Sequence, residues 1–162
     1  MRTRPLLVPA GVFVATIIAC LALAPLLAQS NPRHGKWRLK PTDPAGPPST
    51  NVTVYEPHNR TGMKITINRL NDDGTLTEQW GYTTMFDGKD EAMTGSRAKD
   101  LASVRMISDR VNEITYKRNG VINQILTNVI STDGLTLGII YMNMDATGKT
   151  TRVTFATYEK MQ

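Results

Sequence analysis

From Asn51 onward, apolar and polar residues alternate along the chain in short runs. In "MKITINRL" Met63, Ile65 and Ile67 fall on one face, with Lys64, Thr66 and Asn68 on the other. "LTEQWGYTTMF" sets Leu76, Trp80, Tyr82 and Phe86 on one parity against Thr77, Gln79, Thr83 and Met85. Ile114 and Tyr116 share a face in "NEITYKR", and Val153 and Phe155 oppose Arg152 and Thr154 near the end. A period of two, rich in Thr, Val, Ile and Tyr, predicts β-strands. Between the runs stand "NDDG", "FDGK", "KRNG", "STDG" and "ATGK", ending in or holding Gly74, Gly88, Gly120, Gly134 and Gly148. Asp-Gly and Asn-Gly favour turns whose twist suits antiparallel hairpins. The pattern predicts strands over 36–40, 51–56, 63–70, 75–86, 91–94, 101–107, 111–118, 121–131, 135–144 and 150–161, with no capped amphipathic helix after residue 35.

An open meander of this kind carries two exposed edges, and closing it removes them. A two-layer sandwich needs longer crossovers than these turns supply. The expected fold is all-β, a closed up-and-down antiparallel barrel of about 8–10 strands. Strands 121–131 and 135–144 are apolar on both faces: Val121, Ile125 and Val129 oppose Ile122, Leu126 and Ile130, while Leu137, Ile139 and Tyr141 oppose Ile140, Met142 and Met144. A barrel buries one face, so the other predicts self-association or partner binding there.

The first thirty residues are different. Arg2 and Arg4 precede an uncharged, mostly apolar stretch over 6–27, and Ala28 is followed by polar Gln29, Ser30 and Asn31. This layout predicts a signal peptide over 1–28 cleaved near Ala28, a linker over 29–34 and a barrel domain over 35–162. The protein is then exported, periplasmic or secreted. If the segment stays uncleaved, 6–27 is long enough to anchor it in a membrane. Cys20, the single cysteine, lies in this segment, so no intramolecular disulfide forms and the domain relies on its core. The greasy run continues after Cys20, unlike the polar residues that normally follow a lipidated cysteine.

Nineteen Lys and Arg against 14 Asp and Glu give a net charge of +5. The cations are scattered singly or in pairs such as Lys117-Arg118, too sparse to track phosphates, so no nucleic-acid partner is expected.

"GKWRL", Gly35 to Leu39, resembles the G-x-W opening strand of the calycins, the lipocalins and fatty-acid-binding proteins. "TYEK", Thr157 to Lys160, is similar to the last strand of the fatty-acid-binding proteins. With "YEPHNRTGMKITI" and "FDGKDEAMTG" the whole resembles small secreted lipocalin-like bacterial proteins. The resemblance implies that Trp37 plugs one end of the barrel under a basic side chain from near the C-terminus, which makes Lys160 its candidate partner. Two family features are missing. The Arg-x-Tyr that grips a fatty-acid carboxylate has Ala156 where the Arg would stand before Tyr158. "PTDPAGPPS", 41–49, is too short and proline-rich for the helical lid.

Catalytic chemistry finds little support. His34 and His58 lie in a linker and a turn, no mature cysteine remains, and no nucleophile-elbow pattern surrounds a serine. Glu56 and His58 are too few ligands for a metal. "NDDGTLTEQW" fails as a calcium loop because its first and twelfth positions are Arg69 and Trp80. "DATGKT" lacks the upstream glycine of a phosphate loop, having Asn143 there. No catalytic residue, metal or cofactor is therefore predicted. Trp80, Tyr82, Tyr116, Tyr141 and Phe155 are the candidate lining of an interior suited to an apolar or planar small molecule, up to retinoid-like size. A barrel filled by its own side chains, serving as a structural or interaction module of the cell envelope, is the alternative, and an enzyme on the same barrel a more remote one.

Overall fold

The computed structural model describes residues 31–162. The expected signal or anchor segment, and the first two linker residues, lie outside the described residues. Ten strands follow: β1 (Gly35–Leu39), β2 (Asn51–His58), β3 (Gly62–Leu70), β4 (Leu76–Thr84), β5 (Asp87–Ala92), β6 (Asp100–Met106), β7 (Val111–Arg118), β8 (Val121–Ile130), β9 (Thr136–Met144) and β10 (Thr150–Lys160). A single 3₁₀ turn, Gly95–Arg97, sits between β5 and β6. No described helix is long and apolar enough to cross a membrane.

All ten strands belong to one antiparallel sheet in the order β4-β3-β2-β1-β10-β9-β8-β7-β6-β5. Sequence neighbours pair everywhere except at β4 and β5, and β1 joins β10 through Trp37 opposite Lys160 and Leu39 opposite Tyr158. The expected closed barrel is corrected at one place. No ladder of hydrogen bonds joins the outermost strands, β4 and β5, so the sheet curls round without sealing. Thr94 bridges the gap, its backbone N–H donating to the Gly81 carbonyl at 2.8 Å and its hydroxyl to the same oxygen at 3.2 Å. The "FDGK" turn is corrected with it. The chain reverses around Phe86, which has φ +60° and donates its N–H to Thr84 Oγ1 at 2.9 Å. Gly88 instead falls in a register shift of the β5–β6 ladder between Asp87 and Asp90. A bulge bends a strand and strengthens its twist, which turns β5 at the gap.

The core lies between the curled faces of the sheet, with Trp37, Met63, Ile65, Val104, Ile114, Leu126 and Leu137 all buried. One end is sealed by the Asn31–His34 turn. Arg33, expected in a linker, is only 2% exposed. Its Nε donates to Asn112 Oδ1 at 2.8 Å and its Nη1 to the Asp109 carbonyl at 2.6 Å, while the guanidinium lies 6.0 Å from the Phe86 ring centre. The residues just before β1 are thus part of the barrel's floor. Gly35 opens β1 at φ +125°, and a Cβ there would meet Lys160 Cε at 3.0 Å. Only glycine suits that backbone and that approach, which accounts for the Gly in "GKW".

Candidate functional site

The interior holds a cavity of about 170 Å³. Its wall contains Trp80 and Tyr55, Tyr82, Tyr116, Tyr141 and Tyr158, which are all five tyrosines of the chain. Strand alternation brings them together, since each stands on the inward parity of its own strand. Trp80 and Tyr82 are nearly parallel, 6.5 Å apart at 13°, while Tyr116 meets Trp80 edge-on at 6.0 Å and Tyr82 at 5.9 Å. Offset and T-shaped contacts of this kind suit the ring quadrupoles.

The tyrosine hydroxyls are partly paired. Tyr116 and Tyr82 lie 3.5 Å apart, Tyr141 and Tyr158 3.4 Å, and Asn128 Nδ2 donates to Tyr55 Oη at 3.2 Å. Burial disfavours phenolate, pushing Tyr116 up to about 12 and raising Tyr55, Tyr82 and Tyr141 above the ordinary tyrosine range. The wall also contains Asn51 and Asn128, and on each the side-chain oxygen is buried without a hydrogen-bond partner. Asn128 is 2% exposed and pairs in register with Ile139, towards the Arg33 end; Asn51 stands at the start of β2, towards the other end.

Arg97 is the only charged residue of the lining among the described residues. Its guanidinium carbon lies 4.4 Å from the Tyr116 ring centre and 5.1 Å from that of Trp80. Asp100 holds it there, accepting from Nε at 2.7 Å and lying 2.7 Å from Nη2. Arg118 binds the same carboxylate through Nε at 2.6 Å and Nη2 at 3.0 Å. The Asp100 side chain is fully buried; the Arg118 hydrogen bonds, then those of Arg97, hold its carboxyl below the usual range against the cost of burial. Gly95 sets the position of this turn. It has φ +63°, and a Cβ would come within 2.2 Å of the Gln79 carbonyl oxygen and 2.9 Å of Trp80 Cα. The turn therefore packs directly on the β4 backbone beside the indole that Arg97 covers.

Of the residues expected in the lining, Trp80, Tyr82, Tyr116 and Tyr141 stand together in this wall. Phe155 does not, and its assignment is corrected: it is 75% exposed, on the outer face of β10 with Val153 at 49%. The inward parity of β10 is that of Tyr158 and Lys160, fixed by their pairing with Leu39 and Trp37. Lys160 Nζ lies 5.2 Å from the Trp37 ring centre, and Trp37 is fully buried with its Nε1–H donating to the Arg33 carbonyl at 2.8 Å. Tyr55, Tyr158, Arg97, Asn51 and Asn128 were not anticipated. Tyr55 follows Val52 and Val54, whose apolar parity is the one facing away from the cavity. Among the described residues no group of three or more His, Cys, Asp or Glu is arranged to hold a metal ion.

No protein-family model matches this chain, and no curated protein matches it. Solved structures of the fluorescent protein UnaG are similar to it in fold. A single-site mutant aligns with TM-score 0.53 and 12% identity over 81% of this chain and 97% of that one. The wild type aligns with TM-score 0.51 and 12% identity over 79% and 96%. At 12% identity the likeness shows the shared fold alone.

Proposed function

We propose that the protein is an exported small-molecule carrier or receptor that holds its ligand inside the barrel, and that it is a binding protein and not an enzyme. The observation that carries this is the cavity itself. A polar-edged aromatic box with two unmet acceptors is costly to a barrel that needs only a filled core, because buried polar atoms without partners are destabilising. A ligand that fills the space and meets those atoms offsets that cost. The calycin-type fold supports the same reading, since closed or nearly closed small barrels are suited to holding one small molecule. The missing Arg-x-Tyr and the small volume argue against a fatty acid or a retinoid-sized ligand, because common ligand pockets run to about 300–1,000 Å³.

Intrinsic fluorescence tests it. Trp80 lines the cavity and Trp37 is sealed at the floor, so an occupant quenches emission in the native chain and in Trp37→Phe but not in Trp80→Phe. Emission indifferent to every small aromatic probe, in a protein shown to be folded, would sink the proposal. Export is tested separately by sequencing the N-terminus of protein recovered outside the cytoplasm, where a start near Gln29 is expected and an intact Met1 indicates an anchored form.

One feature favours the second reading, a module that works through its surface. Phe155 and Val153 pair with Ile140 and Met142 of β9, and Met142 with Ile125 of β8, giving an outer apolar face across three strands. Self-association through it is measured by sedimentation velocity, with Phe155→Ser dissociating the assembly. A monomer at all concentrations removes this reading.

A further inference from the structure

The cavity constrains the chemistry of its occupant in three independent ways, on the reading that the barrel binds a small molecule. The first is size. A dry cavity of about 150 Å³ accommodates benzene, so 170 Å³ accommodates a single ring or a small fused pair. The second is charge. Among the described residues no carboxylate, lysine or histidine lines the cavity. The one cation, Arg97, already spends Nε and Nη2 on the buried Asp100 carboxylate, which it shares with Arg118, and already occupies the faces of Trp80 and Tyr116. An anionic guest would compete with Asp100, and a cationic one would enter beside Arg97 with no carboxylate to receive it; desolvating either is unfavourable. The third is hydrogen bonding. Asn128 spends its N–H on Tyr55, and its carbonyl oxygen, buried on the cavity wall towards the floor, has no partner; the Asn51 oxygen is in the same condition towards the other end. Both wall atoms without any partner are acceptors; the Tyr55 and Tyr82 hydroxyls each already accept one hydrogen bond.

We infer that the ligand is an uncharged aromatic molecule of one ring or two fused rings, carrying an N–H or O–H donor that the Asn128 side-chain oxygen accepts. The ring stacks within the tyrosine and tryptophan wall, and the donor points to the floor. An apolar guest of equal shape leaves the amide oxygen unmet, and a site with an unmet buried polar group discriminates strongly against such an analogue.

Three near-isosteric probes separate the possibilities: indole, which carries a donor; benzofuran, which carries only an acceptor; and indene, which carries neither. Titration calorimetry on the purified full-length protein is expected to give indole an affinity at least about 10-fold above both others. Asn128→Leu, checked for native β-sheet content, is expected to bring indole down to the level of indene and leave indene unchanged. The comparison in the unaltered protein stands by itself if that variant does not fold. Equal affinity for the three probes, preference for benzofuran, or tighter binding of benzoate or tetramethylammonium would overturn the ligand class while leaving a small-molecule-binding barrel intact. Binding of a larger hydrophobic dye but of none of these probes would overturn the size class. If neither dye nor probes bind, the underlying reading fails as well.

Discussion

Lys160 stands directly across the β1–β10 ladder from Trp37 and carries its ammonium 5.2 Å from the indole centre, over a ring with no solvent exposure. The pair joins the two ends of the described chain at the sealed floor of the barrel. Desolvated contacts of this kind contribute up to about 2 kcal/mol. Lys160→Met, which keeps the apolar stem, is expected to lower unfolding free energy by about 1–2 kcal/mol in urea titration. Trp37→Phe, which also loses the hydrogen bond to the Arg33 carbonyl, is expected to cost about 2–4 kcal/mol. Neither change is expected to alter probe binding at the cavity, and a Lys160→Met variant as stable as the parent would show the contact to be inert.

Acid should loosen the turn over the cavity. The Asp100 carboxyl is held below its unfolded value of about 3.9. Its contribution is therefore fully present above that value and is lost as pH falls through the lower folded one. Stability is expected to be flat in this respect from neutral pH to about pH 5 and to decline below about pH 4. Asp100→Asn should remove much of that acid dependence and cost about 1–2 kcal/mol at neutral pH, because Arg97 and Arg118 lose their shared carboxylate while solvent screens the half-exposed Arg118. An unchanged acid profile in Asp100→Asn would place the sensitivity elsewhere.

Alkali acts on the opposite side of the cavity's chemistry. Burial raises Tyr55, Tyr82, Tyr116 and Tyr141, with Tyr116 at about 12. A phenol whose folded value is raised binds its proton more tightly when folded, so its contribution is present below about pH 10 and lost as pH rises through the folded values. Ultraviolet titration is expected to show these tyrosines protonated past the range of free tyrosine, then a cooperative rise in tyrosinate as the barrel opens. Smooth titration of these four near pH 10 would mean that water already fills the interior.

Gly95→Ala tests the placement of the 3₁₀ turn. A side chain at φ +63° beside the Gln79 carbonyl is strained in backbone and in space. The turn is expected to lift from β4 and take Arg97 off the Trp80 ring, at a cost of about 1–3 kcal/mol. Trp80 emission should shift and probe affinity should fall. Gly74→Ala, in a turn where a Cβ meets nothing within 4 Å, controls for backbone strain alone.

The strands were legible because half-buried antiparallel sheet writes itself as a period of two, and because Asp-Gly and Asn-Gly mark the tight turns. Facing was less legible. Phe155 and Lys160 have opposite parity on a strand without interruption between Arg152 and Glu159, so an inward Phe155 is incompatible with a Lys160 over Trp37. That conflict is visible in the sequence once the two positions are compared. Tyr55 was hidden because Val52 and Val54 look like the core face, yet Val52 is buried on the opposite side of the sheet. Arg97 left no periodic signal, since its position depends on a short turn docking against β4 through a glycine. The open gap was equally silent, because "FDGK" has the composition of a closing hairpin.

The unpaired boundary between β4 and β5 has a consequence for the order of the chain. Of the nine strand pairings, eight join neighbours in sequence and one, β1 with β10, joins the two extremes. Those extremes meet in space: the Met161 N–H donates to the Lys36 carbonyl at 2.8 Å, and Lys160 Nζ reaches the Pro32 carbonyl at 3.5 Å. Linking residues 31 and 162 and cutting the chain near Phe86 would therefore produce a circular permutant running β5 through β10 and then β1 through β4, in which every pairing is local. Such a chain removes the one long loop closure that folding of the natural order must make, and loop closure is what slows the assembly of non-local sheets.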